Sequence, residues 1–400
     1  MTIDLPLCTE DVNNTLQDIV STQGFSKPEI VFLTGSNIGQ GYLSVDTAVK
    51  ITEADRELNL FIKTAPKHKS IREVFQIRTA YLNELRFYEN IYPELDKFYL
   101  EKTSKPLNIA PKFYSGNNEE NKEVIALENL KAEGFNVPPA KKVLEKEEVV
   151  TLMRTYAKLH GTSLALRDQK QDLFDDITKD IPDFFYGLFK TAIQDNDLMG
   201  VYGILERNLE KTPDNEMILE KFKYLVDNMH ETLVKIKDFH GDYRVITHGD
   251  CNCNNLMFRN KEELRLIDYQ GMKLASPALD LSYVFYATST SEDNFIQLDY
   301  FLDQYYEALS ATVIELGSNP QALFPKELIK EDWKTFCGFS VAMAVYTAIS
   351  MFCEGGAPNI VDLIVNPPTT EDDNRYVINE DECTKWTTCL FKHLISNGFL

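Results

Sequence analysis

The sequence has few positive charges for its length. Its 400 residues include 41 Lys and Arg against 62 Asp and Glu, which gives a formal net charge of -21 at pH 7. Nucleic acids and anionic membrane surfaces are polyanions, and both would repel such a chain. Neither is therefore expected as a partner, and an anionic ligand must be held by a local positive site.

The sequence also lacks an apolar run long enough to cross a bilayer. The most apolar stretch, residues 339 to 353, has about fifteen residues and is closed by Glu354, whereas a spanning helix needs roughly twenty. We therefore expect a buried helix here and no membrane partner. The first residues show neither the basic leader nor the apolar core of a signal peptide, so a cytoplasmic protein is expected.

Cysteine is scarce and scattered. The chain has seven, an odd number, and no two of them form a C-x-x-C pair. This pattern favours reduced thiols in the cytosol over a disulfide framework. Cys251 and Cys253 lie close together, but no nearby His or Cys pair completes a tetrahedral metal site, so we expect them to pack within a loop.

What is present favours a large globular protein of two parts. Hydrophobic residues make up 44% of the chain, enough for a sizeable core, and the length predicts two or more folding units. Short strand-like segments dominate the first third of the chain, and helical periodicity dominates from Val143 onward. We predict an α+β protein with an N-terminal antiparallel sheet and one helix, followed by a larger, mainly helical C-terminal lobe.

The most informative stretch runs from His248 to Gln270 and reads HGDCNCNNLMFRNKEELRLIDYQ. Residues 255 to 258 and 264 to 267 are apolar-rich and of strand length, with polar residues between them, so a β-hairpin is predicted. The two ends of a hairpin lie side by side. Asp250 and Asn255 enter the first strand and Asp268 leaves the second, which predicts that the three side chains meet.

A carboxylate, an amide and a second carboxylate, in the order of Asp250, Asn255 and Asp268, are typical of a phosphoryl-transfer site. One carboxylate orients the attacking hydroxyl, while the amide and the second carboxylate hold Mg²⁺ against the phosphates. Asp250 is therefore the predicted catalytic base, and Asn255 and Asp268 are the predicted metal ligands. The alternative is a surface hairpin with solvated acids, which any one of these residues alone would favour but their joint spacing does not.

A glycine-containing turn near the N-terminus is a second candidate phosphate contact. Gly39 and Gly41 lie between strand-like residues 29 to 34 and 42 to 51, and Ser44 lies at the start of the second of these segments. Glycine has no Cβ, so backbone N–H groups in such a turn can approach phosphate oxygens. Such turns are common, and the prediction depends on the elements that follow.

The next elements supply a lysine and a glutamate. Lys63 lies inside an apolar strand predicted over residues 58 to 64, and Glu84 lies on a helix predicted to start at the S-x-x-E pattern of Ser70 to Glu73. A solvated edge lysine is the alternative. In phosphoryl-transfer enzymes a strand Lys binds the phosphates and is held by a Glu from the following helix. Lys63 and Glu84 are therefore the predicted ion pair.

These motifs resemble the ecdysteroid kinase-like family, within the choline and aminoglycoside kinase branch of the protein-kinase-like fold. The resemblance is carried by HGD at 248 to 250, Asn-Asn at 254 and 255, Ile-Asp-Tyr-Gln at 267 to 270, Lys-Thr at 63 and 64, and the step from Glu84 to Tyr88. It implies ATP and Mg²⁺ as cofactors, a two-lobed kinase architecture and a small-molecule hydroxyl as acceptor. A monomer is expected.

The resemblance also implies a hinge and a boundary between lobes. Residues 127 to 130 resemble the family's hinge, so the backbone groups of Glu128 and Leu130 are expected to bind adenine; an ordinary strand exit is the alternative. Residues 134 to 140 contain two prolines and are predicted to link the lobes. The nucleotide-binding lobe is thus placed at residues 1 to 133, and the catalytic and substrate-binding lobe at 134 to 400.

Three further residues have expected supporting roles. Asp280 resembles the family's structural Asp at a helix start, where it could accept backbone N–H groups. His160 is expected to be a hydrogen-bonded core residue. Asn252 stands where the family usually carries Trp, two residues after the base, which leaves a smaller and more polar surface. Restoring Trp at position 252 is expected to be tolerated.

The acceptor is expected to be a bulky, largely apolar alcohol such as an ecdysteroid or a xenobiotic alcohol or glycoside. This expectation rests on the resemblance and on an aromatic-rich helical insert that a minimal kinase lobe does not need. The same residues could instead fill the core. A cationic acceptor such as choline or an aminoglycoside, and a non-catalytic nucleotide-binding module, are the alternatives. The insert residues are Phe184, Phe185, Tyr186, Leu188, Phe189, Met199, Tyr202 and Leu205.

Overall fold

Five antiparallel strands form the N-terminal sheet of the computed structural model. The structure describes residues 8–33, 44–139, 143–188, 197–212, 215–288, 291–354 and 377–400. Neighbouring strands lie in the order β1-β2-β3-β5-β4. The strands are β1 Glu29–Leu33, β2 Val45–Glu53, β3 Arg56–Thr64, β4 Phe113–Asn117 and β5 Val124–Glu128, and the first three lie within a few residues of their predicted positions.

One face of this sheet is covered by helix α1, Glu10–Thr22. Thr9 caps the helix by accepting a hydrogen bond from the backbone N–H of Val12 at 3.3 Å. Leu16 and Ile19 of the helix are buried in one apolar cluster that also contains Leu60 and Ile62 of β3. Full burial of each such side chain contributes about 1.5–3 kcal/mol. Because side chains alternate along a strand, Lys63 faces away from α1, toward the helices that follow β3.

The helix predicted to start at Ser70 is divided. Helix α2, Lys69–Val74, has His68 at its N-cap without a side-chain cap, and α3, Ile77–Arg86, begins after a left-handed Gln76 with φ +48°. The predicted capping box is thus wrong. Arg72 and Arg78 both pair with the buried carboxylate of Glu123, at 2.7 and 3.2 Å. Six residues apart on one continuous helix, these two arginines would lie about 120° apart around the helix axis; the break brings both to the same carboxylate.

The chain then continues through a π-helical turn, Phe87–Ile91, into α4, Tyr92–Thr103, before β4 begins. Most of the remaining chain is helical, as predicted. The helices are α5 Lys146–Gln169, α6 Gln171–Thr178, α7 Asp197–Lys211, α8 Glu216–Asp227, α9 Met229–Lys237, α10 Pro277–Thr288, α11 Glu292–Ile296, α12 Leu298–Glu315, α13 Pro320–Leu323, α14 Glu327–Phe352 and α15 Glu380–Ser396.

Helix α5 lies at the centre of this helical part, against α12, and α10 packs along α14. One cluster of buried side chains reaches from β5 and α3 into α5, α10 and α14. The apolar stretch expected to form a buried helix lies in α14, where Phe339, Val341 and Val345 are buried. Among the described residues, none of the helices combines the length and apolar character that crossing a membrane requires.

The predicted hairpin is present as β7, Leu256–Arg259, and β8, Glu263–Leu266. Its loop is shorter than expected, because Arg259 and Glu263 pair in the ladder and form an ion pair at 2.6 Å. The segment predicted as a linker pairs with the hairpin through Asn136 and Phe258. Strands β6, Val245–Thr247, and β9, Lys273–Ala275, flank the hairpin and pair with each other. The boundary after residue 133 stays a prediction.

Candidate active site

The loop that carries Asp250 is hydrogen-bonded to the side chain of Asp280, which lies on α10. The Asp280 carboxylate accepts the backbone N–H groups of His248 and Gly249 at 2.6 and 2.9 Å, so it supports the loop and not its own helix. His160 donates from Nε2 to this carboxylate at 3.2 Å, and its Nδ1 lies 3.0 Å from the hydroxyl of Tyr305. Burial would raise the pKa of Asp280, but the hydrogen bond and charge of His160 hold that pKa below its usual value. His160 is a hydrogen-bonded core residue, as expected.

Gly249 allows the loop to pass close to a second loop. Its φ is +82°, a region that L-residues rarely adopt. A Cβ at this position would lie 1.9 Å from the carbonyl oxygen of Gly271. The approach of these two backbones brings Asp250 beside residues 268 to 271, so the close contact is part of how the site is built.

The Asp250 carboxylate accepts hydrogen bonds from four side chains. Asn252 donates to Oδ1 at 2.9 Å and Tyr283 at 3.4 Å, while Asn255 and Gln270 donate to Oδ2 at 3.1 and 3.0 Å. Burial and then the nearby Asp268 raise the pKa of Asp250, and the hydrogen bonds from Gln270 and Asn252 oppose them. A fixed carboxylate of this kind can orient a hydroxyl and take its proton.

The two predicted metal ligands meet at one end of the hairpin. The backbone N–H of Ile267 donates to the carbonyl oxygen of Asn255 at 3.1 Å, which places Asp268 beside Asn255. The backbone of Asp268 has a left-handed conformation, with φ +68°. Such conformations cost energy and cluster at functional sites, and Asp tolerates them better than most residues.

This donor set fits Mg²⁺. The Asn255 amide nitrogen donates to Asp250 twice, which turns the amide oxygen away from Asp250. The Asp268 side chain is 26% exposed and uses one oxygen to bind Lys63. In the part of the chain that the structure describes, no three His, Cys, Asp or Glu side chains form a metal cage. Mg²⁺ does not need one, because it is bound by one or two carboxylates together with phosphate oxygens and water.

Lys63 lies between two carboxylates. Its Nζ is 2.6 Å from Oε2 of Glu84 and 2.9 Å from Oδ1 of Asp268. Burial acts to lower the pKa of Lys63, but Asp268 and Glu84 outweigh it and raise the pKa above its usual value. Burial raises the pKa of Glu84, against the opposing charge of Lys63. The predicted pair is therefore formed, and Lys63 also reaches the predicted metal ligand.

Asp46 is a site residue that sequence reasoning missed. It lies opposite Lys63 in the register of β2 and β3, and it accepts a hydrogen bond from Ser44 at 2.5 Å. Burial and the charge of Asp268 raise its pKa, although Ser44 and Lys63 oppose them. Only the cross-strand register reveals this neighbour of Lys63. Ser44, predicted to contact phosphate, is thus turned toward an acid, while Gly39 and Gly41 lie outside the described residues.

A family model for the ecdysteroid kinase-like family matches residues 38–318. The chain belongs to this family. The match contains every site residue described above. The family is one of small-molecule kinases, so the protein is a phosphotransferase that acts on a hydroxyl group, and its architecture is that of the protein-kinase-like fold.

Several solved structures are similar to this chain at low identity. A Plasmodium vivax ethanolamine kinase shares 11% identity, with 97% of this chain and 89% of that chain covered and a TM-score of 0.37. A macrolide 2'-phosphotransferase from Brachybacterium faecium shares 12%, with coverages of 89% and 99% and a TM-score of 0.35. An aminoglycoside phosphotransferase from Alicyclobacillus acidocaldarius shares 12%, with 98% of both chains covered and a TM-score of 0.39.

The predicted hinge of this ecdysteroid kinase-like protein is a tight turn at the end of β5. The backbone N–H of Leu130 donates to the carbonyl oxygen of Glu128 at 3.1 Å. Leu130 packs with Phe135, Met257 and Ile267 in a small apolar cluster separate from the main core. The cluster places an apolar surface between the hinge and the hairpin that carries Asn255 and Asp268.

The insert residues proposed for the acceptor wall are mostly part of the core. Phe184, Tyr202 and Leu205 are at most 4% exposed, so the alternative of core filling accounts for them. Phe185 is also buried in the core, but it lies beside the catalytic loop, since its ring would be 2.6 Å from a Cβ placed on Gly271. Tyr186 and Leu188 are partly buried against the core. Phe189 and the side chain of Met199 lie outside the described residues.

Helix α3 connects the nucleotide side of the site with this insert. Asn83, the neighbour of Glu84, is 1% exposed and donates to the carbonyl oxygens of Gln270 at 3.0 Å and Pro182 at 3.3 Å. Arg86 donates to the carbonyl oxygen of Lys179 at 2.6 Å. No local pattern in the sequence indicated these contacts, since each joins residues about a hundred or more positions apart.

Proposed function

We propose that the protein transfers the γ-phosphoryl group of ATP to a hydroxyl of a largely apolar small molecule, such as an ecdysteroid or a xenobiotic alcohol or glycoside. The observation that carries the transfer is the convergence of Lys63, Asp268, Asn255 and Asp250 at one end of the hairpin. It supports a division of roles in which Lys63 binds phosphate oxygens, with Glu84 holding its ammonium group in place.

Asp250 is proposed to orient the acceptor hydroxyl and accept its proton. Asn255 and Asp268 would hold Mg²⁺, which neutralises charge on the phosphates when bound. The apolar cluster of Leu130, Met257 and Ile267 would cover one face of the adenine ring, and the backbone of Glu128 and Leu130 would bind its edge. Because those two backbone groups bond to each other at 3.1 Å, adenine binding must exchange that hydrogen bond for its own.

The residues beside the catalytic loop favour an apolar acceptor. A cavity of about 10 Å³ next to Gly249, at most the room for one water molecule, is lined by Phe185, Leu279 and Phe339, together with Leu233 and Ile236 of α9, so it shows the apolar character of this region and not the acceptor position itself. The acid at this cavity, Asp183, is already paired with Lys273 and so does not offer a free charge to a cationic acceptor.

Free cysteines in the described part of the chain favour the cytosol as the location of the protein, and the monomeric state stays a prediction.

The test is incubation of the protein with Mg-ATP and a mixed panel of steroids, phenolic glycosides, choline and aminoglycosides, with phosphorylated products identified by mass spectrometry. We expect phosphate esters of steroids or glycosides and none of the cationic acceptors. Phosphorylation of choline or aminoglycosides alone would contradict the apolar acceptor. No product from any acceptor, with Mg-ATP binding retained, would favour a nucleotide-binding module.

A further inference from the structure

The carboxylate of Asp250 is contacted by four side-chain donors, three at 2.9–3.1 Å and Tyr283 at a longer 3.4 Å. An ionised carboxylate offers about four hydrogen-bond acceptor positions on its two oxygens. In this structure Asn252 and Tyr283 donate to Oδ1, and Asn255 and Gln270 donate to Oδ2. A hydroxyl that donates its proton to Asp250 must therefore displace one of these four groups.

Three of the four donors are held in place. Gln270 is 9% exposed, and its backbone carbonyl is bound by Asn83 at 3.0 Å. Asn255 is 5% exposed and also donates to the backbone oxygen of Asp250. Tyr283 is 1% exposed within α10. None of the three can leave Asp250 without opening buried structure.

Asn252 is the fourth donor and differs in position and surroundings. It is half-buried, in the loop between Asp250 and β7, and not within a long helix or strand. Its side-chain oxygen accepts the backbone N–H of Asn254 at 2.9 Å, which caps a single short turn. Its amide group can therefore turn away from Asp250 at the cost of the hydrogen bond from Nδ2 and a weakening of the cap, since both amide atoms turn together, but without opening buried structure.

We propose that Asn252 occupies the hydroxyl-binding position on Oδ1 of Asp250 and, when the acceptor hydroxyl takes that position, holds a second oxygen of the acceptor on the carbon next to the reactive hydroxyl. This proposal rests on the proposed function and deepens it. The substrate class is then an alcohol with a neighbouring oxygen, such as a vicinal diol or the ring of a glycoside.

The chemistry of the amide selects this class. Once the hydroxyl has displaced Nδ2 from Asp250, Nδ2 is a donor without its carboxylate partner, and the bound acceptor covers it from water, which makes a missing partner costly. Nδ2 starts at the hydroxyl-binding position, so it remains within hydrogen-bond reach only of atoms close to the reactive hydroxyl. An oxygen on the adjacent carbon satisfies it, whereas a methylene group there does not.

The test compares Asn252→Ser with the matched control Asn254→Ala. Ser is a good N-cap residue, so it keeps the cap on residue 254 while removing the amide donor. Asn254 is exposed, and its side chain does not bond Asp250 in the described structure. Thermal unfolding of both variants establishes that the loop is intact.

Each protein is assayed with two acceptor pairs: an ecdysteroid-type 2,3-diol and its 2-deoxy analogue, and 4-nitrophenyl glucoside and its 2-deoxy analogue. We expect the wild-type protein and Asn254→Ala to prefer the diol in kcat/KM by roughly fivefold to tenfold, the size of one hydrogen bond. In Asn252→Ser this preference should fall toward one. A preference that is unchanged in Asn252→Ser overturns the proposal.

Hydrolysis of Mg-ATP by water gives a readout that does not depend on the acceptor. Removing the Asn252 amide opens Oδ1 of Asp250 to water, so Asn252→Ser should hydrolyse ATP a few-fold faster than the wild-type protein and Asn254→Ala. Equal hydrolysis by all three proteins overturns the proposal while leaving the proposed function intact. If Asn252→Ser hydrolyses ATP faster but no acceptor of the panel is phosphorylated, the acceptor class is wrong and the position of Asn252 stands. If none of the three proteins hydrolyses Mg-ATP or phosphorylates an acceptor, both the proposed role of Asn252 and the proposed function are wrong.

Discussion

At the scale of single residues, two glycines with similar positive φ angles can be compared. One would lose stability on substitution only through its backbone conformation, and the other also through a steric clash. Gly249 has φ +82° and Gly24 has φ +69°. A Cβ at Gly249 would meet the backbone of Gly271, whereas a Cβ at Gly24 would have no atom within 4 Å. Both residues have positive φ angles, but of the two only Gly249, in the active site, has the close backbone contact.

We predict that Gly24→Ala lowers the free energy of unfolding by about 1–2 kcal/mol, the cost of a left-handed L-residue. Gly249→Ala should lower it by roughly 2–5 kcal/mol, because overpacking adds to that cost, and it should also reduce turnover. Urea unfolding of both variants measures the difference. Equal losses of stability would show that the approach of the two loops is not as tight as described.

The buried pair of Lys63 and Glu84 gives a second prediction. Lys63→Met leaves Glu84, which is 2% exposed, without its cation. Breaking a buried pair in this way costs about 3–5 kcal/mol, whereas replacing both partners by apolar residues is often nearly neutral. The double variant Lys63→Met with Glu84→Met should therefore be more stable than Lys63→Met alone. A double variant less stable than the single one would contradict this account, and Mg-ATP affinity should be weakened in both.

The residues of the site differ in how readily the sequence reveals them. Asp250, Asn255 and Asp268 lie within one hairpin, so local spacing is enough to predict that they meet. The Lys63 to Glu84 pair needed an assumption about which helix packs on the strand. Asp46 joins the site through the register of two strands, and Asn83 through contacts with distant parts of the chain, and no local sequence pattern indicates either.

The structure also changes one expectation. Asn252 binds Asp250 and caps a turn, so Trp at this position would remove two hydrogen bonds.

At the scale of secondary-structure elements, boundaries moved where tertiary contacts outweigh local signals. The S-x-x-E pattern predicted one helix, but Glu123 draws arginines from both α2 and α3, and the helix breaks at Gln76. The helical segment that ends at Glu315 is likewise divided at Gln297 into α11 and α12. Strand positions were predicted well, because their alternating apolar residues reflect burial directly.

Helix α15 contains a titratable group that should affect stability against acid. His393 is 9% exposed and stacks on Phe295 at a centroid distance of 4.9 Å, while Tyr286, which accepts a hydrogen bond from Trp333, contacts its Nε2 at 3.4 Å. Burial lowers the pKa of His393 from 6.5 to about 4. Between these pH values the unfolded chain binds a proton that the folded chain does not, so stability falls as the pH drops.

We predict that this group removes about 2 kcal/mol of stability between pH 7 and pH 5, from its shift in pKa and the cost per pH unit. His393→Gln should lose less stability over this range than the wild-type protein. Urea unfolding at pH 7, 6 and 5 measures both. If the two proteins showed the same dependence on pH, His393 would have to titrate normally in the folded state.

For the molecule as a whole, periodicity predicted the division into a sheet and a helical part, which the structure confirms. The exclusion of nucleic acid and membranes, which follows from the summed charge, stays a prediction. Neither signal indicates which helices would bind the acceptor. The aromatic insert that looked like a ligand wall is largely core, because an aromatic-rich helix serves a large core and a binding surface equally well. The small cavity beside Gly249 and the half-buried Asn252 emerge only from the three-dimensional structure.

The measurement that tests the account most directly is the effect of Asp250→Asn on phosphoryl transfer, with Mg-ATP affinity measured in parallel. Loss of a positioned base reduces catalysis by about 10²–10⁴-fold, so kcat should fall by roughly that factor. The Kd of Mg-ATP should stay within about threefold, because Asp250 is assigned to the acceptor hydroxyl and not to the phosphates. Asp268→Ala should instead weaken Mg-ATP binding. Wild-type turnover by Asp250→Asn, on an acceptor that the wild-type protein phosphorylates, would contradict the assignment of the base and with it the central claim.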